Sequence, residues 1–181
     1  MYALLAILDE DTNQQIQKLY QDLKKQNLSN YAFETEGYIP HITLADFENL
    51  SLEKVIDILS TKLLVSHPIP INFSSLGSFL GTNIVFLSPV KTPSLIQLHM
   101  NIHELLADYI TEDSLYRPEN WVPHLTLANR IEDVKFLKLY QISHQHFSQM
   151  QSHIIGLKLI KINSQNKISS LYDYYFEPPE T

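Results

Sequence analysis

One six-residue block occurs twice in the chain, and this repeat constrains the fold more than any other sequence feature. Pro40-His-Ile-Thr-Leu-Ala45 and Pro123-His-Leu-Thr-Leu-Ala128 agree at five of six positions, and the sixth is an exchange of Ile for Leu. Each block follows a strand-helix pattern of similar length, so a duplicated unit explains the match better than chance does. The repeat therefore predicts one domain of two related lobes, approximately residues 1–82 and 83–181.

Hydrophobic periodicity predicts the same order of elements around each block. The apolar run Tyr2–Leu8 is typical of a strand covered on both faces, and helical spacing then extends from about Thr12, in a capping-box pattern, to Gln26. The later predicted elements are a strand at 40–46, a helix at 51–63, strands at 71–79 and 83–90, a helix at 93–109, a strand at 123–130, a helix at 133–147 and strands at 154–162 and 170–176. Each half therefore has the order strand, helix, strand, helix, strand, and one further strand follows.

Side chains alternate along a strand, so the histidine and the threonine of each block are predicted to share a face. His41 lies beside Thr43 on one face, and His124 lies beside Thr126 in the same way. The apolar residues between them can enter the core of each lobe. If the lobes face each other about an approximate two-fold axis, two imidazoles and two hydroxyls meet in one cleft.

Such a cleft suits phosphodiester chemistry. The unperturbed pKa of imidazole is about 6.5, so near neutral pH one histidine can accept a proton from a nucleophile while another donates one to a leaving oxygen. Threonine hydroxyls can donate hydrogen bonds to the non-bridging phosphate oxygens, which carry the growing charge. This scheme requires neither a metal nor a cofactor.

Composition limits the ligands and the compartment. The chain has 13 Lys and Arg against 20 Asp and Glu, a net charge of −7, which argues against extended electrostatic binding to duplex nucleic acid but allows one phosphate in a cleft. It has no Cys, which excludes disulfides, thiolate metal sites and cysteine nucleophiles and fits a reducing cytoplasm. The apolar segment Met1–Leu8 is too short to span a membrane. We expect a cytoplasmic monomer with no membrane partner.

The chain resembles the two-histidine (2H) phosphoesterase superfamily, and within it the bacterial 2′-5′ RNA ligase-like proteins. The resemblance rests on His41-Ile-Thr43, on His124-Leu-Thr126 and on Trp121-Val-Pro before the second block, and it covers the whole chain in length and element order. It implies an α+β fold of two lobes whose mainly antiparallel sheets face a central cleft.

The resemblance also implies metal-independent hydrolysis of a cyclic phosphodiester, either an RNA 2′,3′-cyclic phosphate end or a small cyclic nucleotide. His41 and His124 become general base and general acid, in an order left open, and Thr43 and Thr126 bind the phosphate. Two alternatives stay open, namely 2′-5′ RNA ligase activity and a non-catalytic module that binds a nucleotide or an RNA end. A third, a structural repeat with incidental histidines, predicts no phosphate affinity.

Further candidate site residues come from strand parity and from the flanking loops. Parity continued from His124 puts Arg130 on the same face, where it could meet a phosphate. The same alternation continued from His41 puts Phe47 on the face of His41, where it could stack on a base. Side chains on the loops beside the blocks could shape substrate specificity; these are Tyr38, Trp121, Tyr116 and Arg117.

The remaining histidines are not expected to hold a metal. His99 and His103 have the four-residue helical spacing that can bind one, but they flank an apolar stripe and no third ligand is evident. His144 and His146 lie in an irregular amphipathic stretch, where we expect them to be solvated. The sequence therefore predicts no metal site.

Overall fold

The computed structural model describes residues 1–63, 65, 67–165 and 167–177. In these residues the chain forms four α-helices and one seven-stranded sheet. The helices are α1 Glu10–Lys25, α2 Leu52–Thr61, α3 Pro93–Leu105 and α4 Asp133–His146. The strands are β1 Tyr2–Leu8, β2 His41–Phe47, β3 Ile69–Gly77, β4 Val85–Pro89, β5 Leu125–Ala128, β6 Met150–Ile162 and β7 Ile168–Tyr175. The described strand pairs are all antiparallel, so the predicted α+β class is confirmed.

The predicted elements occur in the predicted order, and the differences lie at their ends. Helix α1 is capped by Asp9, whose Oδ1 accepts a hydrogen bond from the backbone N–H of Thr12 at 2.9 Å. The capping-box pattern predicts Thr12 as the cap, but its hydroxyl instead donates to Ser152 Oγ at 2.8 Å. Strand β6 begins at Met150, before the predicted start at residue 154, because its first residues pair with β3.

The strand order shows how the two sequence halves are joined. The path is β2-β1-β6-β3-β4-β5, and β7 pairs with the second part of β6. Strand β6 lies beside β1 and strand β3 beside β4, so the third strand of each half pairs with the first strand of the other. The sheets expected to face a cleft are therefore two arms of one open sheet. The division near residue 82, between β3 and β4, stays a prediction.

The duplication extends beyond the two blocks to the helices that precede them. The helix caps Asp9 and Thr92 are 83 positions apart, and so are His41 and His124. Residues of the edge strands β2 and β5 approach within 8 Å of each other, measured between Cα atoms. The sheet therefore curves until its two edge strands, which carry the blocks, lie near each other.

Apolar side chains from the helices fill one face of this curved sheet. The stripe on α1 and the stripe on α3 are buried against it together with alternate residues of the strands; the fully covered side chains include Leu4, Leu8, Ile16, Leu19, Leu23, Ile42, Leu44, Leu95, Ile102, Leu125 and Leu127. The opposite face of β2 and β5 is left half-buried. We call the space between these two half-buried faces the cleft. No helix in the described parts of the chain is long and apolar enough to cross a membrane.

Each block contains a β-bulge at its fifth residue, Leu44 in the first block and Leu127 in the second. Leu4 pairs with Ala45 and the next residue of β1 pairs with Thr43, so Leu44 is an extra residue in β2. Leu127 is the extra residue in β5, because Val85 pairs with Ala128 and the following residue of β4 pairs with Thr126. A bulge reverses the alternation of side chains beyond it. Residues after each bulge therefore face the side opposite to the one that simple parity predicts.

Candidate active site

The backbone holds His41 and His124 in the same way. Nδ1 of His41 lies 2.6 Å from the carbonyl oxygen of Ile39, and Nδ1 of His124 lies 2.7 Å from that of Val122. A carbonyl oxygen only accepts hydrogen bonds, so Nδ1 of each ring carries a proton and donates it. In the neutral ring Nε2 is then free to accept a proton, and in the charged ring it can donate one.

Burial lowers the pKa of both histidines. For His41, desolvation lowers the pKa, its hydrogen bond to Ile39 opposes the shift, and the charge of His124 lowers the pKa further. For His124, desolvation lowers the pKa and the hydrogen bond to Val122 opposes it. The effect of His124 on His41 is in keeping with the approach of β2 and β5, the strands that carry the two blocks. Protonation of one ring therefore disfavours protonation of the other, which favours a pair that shares a single proton.

The two threonines lie beside the histidines on the half-buried faces. Thr43 and Thr126 alternate with fully buried leucine and isoleucine neighbours, as the parity argument predicts. Burial raises the pKa of the Tyr116 phenol, and the Thr43 hydroxyl opposes this shift. The structure thus brings both His-Thr pairs to the facing edges of the sheet.

The two histidines have different aromatic neighbours. His41 packs against Tyr38, with ring centroids 5.4 Å apart, and Tyr38 in turn contacts Tyr20 and Tyr31 at 5.9 and 5.1 Å. Tyr38 therefore reaches the candidate site, as its position before the first block suggests. Tyr38 thus places one aromatic ring beside His41 and links it to two further tyrosines.

Two phenylalanines form an apolar wall beside His124, which the sequence analysis does not predict. Phe79 and Phe86 lie 5.0 and 5.3 Å from the His124 ring and 4.5 Å from each other, between centroids. Phe86 pairs with Thr126 across β4 and β5, and on its other side it pairs with Gly77 of β3. A Cβ at Gly77 would lie 2.8 Å from the Phe86 ring, so the glycine allows this ring to cover β3. Two residues of the sequence could have indicated this wall, namely Phe86, which lies opposite Thr126, and Gly77, which lies opposite Phe86.

Phe47 does not lie beside His41, and the parity prediction for it is wrong. Its side chain is 1% exposed and belongs to the core under the sheet. The bulge at Leu44 is the reason, because it turns the following residues of β2 to the other face. In this structure Phe47 cannot stack on a base.

Trp121 is on the loop before the second block, as expected, but its indole points inward. The side chain is 4% exposed and stacks on His99, with ring centroids 3.7 Å apart and an interplanar angle of 6°. Its Nε1–H donates to the carbonyl oxygen of Thr43 at 3.0 Å, and Lys91 Nζ donates to the Trp121 carbonyl oxygen at 2.6 Å. The structure therefore makes Trp121 a support of β2, and its contact with substrate stays a prediction.

Arg130 lies beyond the second bulge, after the end of β5. Its backbone has a positive φ of 54°, which leaves the extended conformation that the parity count assumed. The side chain is 64% exposed and forms an ion pair with Glu34, on the loop before the first block. This ion pair links the segment after the second block to the loop before the first block. Arg117, the other flanking arginine, pairs with Glu119 at 2.9 Å.

His99 and His103 are buried hydrogen-bond donors. Nε2 of His99 donates to the carbonyl oxygen of Tyr116 at 2.9 Å, and Nε2 of His103 donates to that of Leu44, the bulged residue, at 3.0 Å. Desolvation and the neighbouring His103 lower the pKa of His99 to about 4. Both rings are therefore neutral near pH 7, and their ring nitrogens support the loop and strand of the candidate site.

The family model of the 2′-5′ RNA ligase superfamily matches residues 14–166 of the chain. This match spans both His-Thr blocks and most of the sheet. The chain therefore belongs to this superfamily, whose members are 2H phosphoesterases. No curated protein sequence matches the chain significantly.

Solved structures with the same fold are distant in sequence. E. coli LigT complexed with 3′-AMP is 15% identical, with a TM-score of 0.64 over 97% of this chain and 96% of that chain. E. coli LigT in apo form is 16% identical, with a TM-score of 0.65 over the same shares of the two chains. TT0787 of Thermus thermophilus is 11% identical, with a TM-score of 0.66 over 99% of both chains. At these identities the likeness establishes the fold alone.

Proposed function

We propose that this protein is a metal-independent phosphoesterase that hydrolyses a cyclic phosphodiester, either the 2′,3′-cyclic phosphate end of an RNA or a small cyclic nucleotide. The observation that carries the proposal is the matched anchoring of the two histidines. Both Nδ1 atoms donate to backbone carbonyl oxygens, which leaves the Nε2 atom of each ring for proton transfer. Membership of the 2′-5′ RNA ligase superfamily supports the same chemistry.

In the proposed reaction, one neutral imidazole accepts a proton from a water molecule as the water oxygen forms a bond to phosphorus. The other imidazole, which is protonated, donates its proton to the 2′ or 3′ oxygen as the bond from that oxygen to phosphorus breaks. The product is a ribose monophosphate, and proton exchange with solvent restores the two rings. The geometry leaves the assignment of base and acid between His41 and His124 open.

Thr43 and Thr126 are the proposed phosphate-binding residues. Each lies two positions after its histidine on the same strand face. A neutral hydroxyl donor is suited to the non-bridging oxygens, because their negative charge grows as water attacks. A site of two hydroxyls and one imidazolium can hold a single phosphate group on a protein whose net charge is −7.

The proposed partner is a small nucleotide or a single RNA terminus, and not a duplex. E. coli LigT has been crystallised with 3′-AMP, with ATP and with NADP⁺, which supports a nucleotide-sized ligand for a cleft of this fold. Phe79 offers an aromatic surface beside His124 for a base, and Arg130 could exchange Glu34 for a substrate phosphate at the rim. We propose that the protein acts as a cytoplasmic monomer.

A second candidate function is 2′-5′ RNA ligation, which the family match favours. Ligation is the reverse of phosphodiester cleavage, so it would use the same two histidines with their roles exchanged. A non-catalytic module that binds a nucleotide or an RNA end is the remaining alternative.

The test uses the full chain with a panel of 2′,3′-cyclic nucleotides and oligoribonucleotides that end in a cyclic phosphate, with and without EDTA. We expect turnover that EDTA does not change, and a loss of about 10²- to 10⁴-fold in His41→Ala and in His124→Ala. His144→Ala is the matched control, because His144 is exposed on α4. Binding without turnover would support the binding module, and loss of activity in EDTA would contradict the metal-free mechanism.

A further inference from the structure

The two strands that carry the blocks are the edges of the sheet. Strand β2 pairs with β1 and strand β5 pairs with β4, and the two edges are not neighbours in the strand order of the described sheet. One side of each edge backbone therefore has no strand to satisfy its carbonyl oxygens. Strand pairing also does not set the distance between β2 and β5.

Two side chains donate to the backbone carbonyl oxygens of the block threonines, and each comes from the opposite half of the chain. A further donor from the second half, His103, bonds to the neighbouring carbonyl oxygen of Leu44. Trp121, just before the second block, donates its Nε1–H to the carbonyl oxygen of Thr43 at 3.0 Å. Tyr20, on α1 of the first half, donates its hydroxyl to the carbonyl oxygen of Thr126 at 2.7 Å. The two acceptors are equivalent residues of the repeat. The two bonds thus cross between the halves at matching positions.

Packing holds both donors in place. Trp121 and Tyr20 are each 4% exposed. The Trp121 indole is stacked on His99, and the Tyr20 ring makes an edge contact with Tyr38, which itself packs on His41. A rigid buried donor fixes the position of its acceptor more firmly than a mobile surface side chain would.

We propose that Tyr20 and Trp121 are positioning residues that set the separation of the two His-Thr pairs. Each one ties the backbone of a proposed phosphate-binding threonine to the opposite half of the molecule. This inference rests on the proposed function, because it concerns the alignment of the same two imidazoles. A displacement of about 1 Å in a reacting group can cost about 100-fold in rate.

The decisive variant is Tyr20→Phe, which removes one hydroxyl and keeps the buried ring. We expect kcat for a 2′,3′-cyclic nucleotide to fall about tenfold or more while KM stays within about twofold, because the phosphate contacts remain and the alignment of the Nε2 atoms is lost. Trp121→Phe is the second variant. It removes the Nε1–H and keeps a ring beside His99. We expect it, too, to lower kcat while KM stays nearly unchanged.

Tyr140→Phe is the matched control. The Tyr140 hydroxyl donates to the backbone carbonyl oxygen of Leu76 on β3 at 3.2 Å, which is the same kind of bond on a strand without a block. This control is expected to keep the wild-type kcat and KM. Amide hydrogen exchange of residues 124–128 provides a readout that does not depend on turnover. Exchange there should be faster in Tyr20→Phe and unchanged in Tyr140→Phe.

The outcomes separate this inference from the proposed function. Equal kcat in Tyr20→Phe, Tyr140→Phe and the wild type would overturn the positioning role, even if exchange in β5 became faster. If the wild type turns over no substrate, the proposed function fails and the exchange measurement decides alone. In that case, wild-type exchange at 124–128 in Tyr20→Phe would overturn the link between Tyr20 and β5.

Discussion

The Nδ1 atoms of His41 and His124 each donate to a carbonyl oxygen two residues earlier in the chain, and this single contact determines which nitrogen can exchange protons. It makes Nε2 the reactive nitrogen in both rings. The neighbours of the two rings are different, however, with Tyr38 beside His41 and two phenylalanines beside His124. The two imidazoles therefore share a tautomer and differ in their surroundings.

The rate of the proposed reaction should depend on pH through both histidines. Desolvation lowers the pKa of both histidines, so the pair that holds a single proton is most populated below the ordinary imidazole pKa of about 6.5. We expect a bell-shaped dependence of kcat/KM with its maximum below about pH 6.5. The maximum of kcat should lie at a higher pH than the maximum of kcat/KM, because a bound phosphate anion favours protonated imidazole and so raises its pKa. Steady-state rates measure both, and a kcat/KM profile that is flat from about pH 5 to about pH 8 would contradict the division of roles.

Phe79 should stack on the base of a bound nucleotide. Stacking of a base on an aromatic side chain contributes about 1–3 kcal/mol, so Phe79→Ala should raise KM for a 2′,3′-cyclic nucleotide about 5- to 150-fold. Ribose 2′,3′-cyclic phosphate, which has no base, should be hydrolysed as by the wild type. Phe79→Trp should retain the nucleotide preference, and Phe33→Ala, at an exposed ring, is the control. An equal effect on both substrates would show that Phe79 does not contact the base.

At the scale of single elements, the bulges decide which side chains reach the cleft. Alternation along a strand predicts the face shared by His41 and Thr43 correctly, because both residues precede the bulge at Leu44. It fails for Phe47, which follows the bulge. An extra residue in one strand depends on the pairing of two strands, so the pattern of a single segment does not reveal it. Arg130 is displaced for a related reason, since its backbone has left the extended conformation.

Gly77, on β3, leads to a prediction about the stability of the protein. A Cβ on this residue would lie 2.8 Å from two ring carbons of Phe86, which is held between Phe79 and His124. Gly77→Ala should therefore lower the free energy of unfolding by about 1–3 kcal/mol, the usual cost of overpacking. Urea denaturation measures it. Gly77→Ala should cost less free energy of unfolding when it is made in the Phe86→Leu variant than when it is made in the wild type. An equal cost with Phe and with Leu at position 86 would contradict the steric cause.

At the scale of the whole molecule, two halves of one chain build a single curved sheet. The repeat of the two blocks is readable in the sequence, and it predicts two His-Thr pairs in one cleft. The exchange of β3 and β6 between the halves is not readable, because the apolar pattern of a buried strand does not identify its partners. The crossed bonds from Tyr20 and Trp121 depend on that assembly. They become visible only when the edge strands are placed side by side.

The central claim is that His41 and His124, one from each half, act as one acid-base pair. The most direct test compares kcat for a 2′,3′-cyclic nucleotide in His41→Ala, His124→Ala and the double variant. Groups that act as a unit are not additive, so each single variant should lose about as much as the double variant, about 10²- to 10⁴-fold. Wild-type kcat in either single variant, or losses that multiply in the double variant, would contradict the claim.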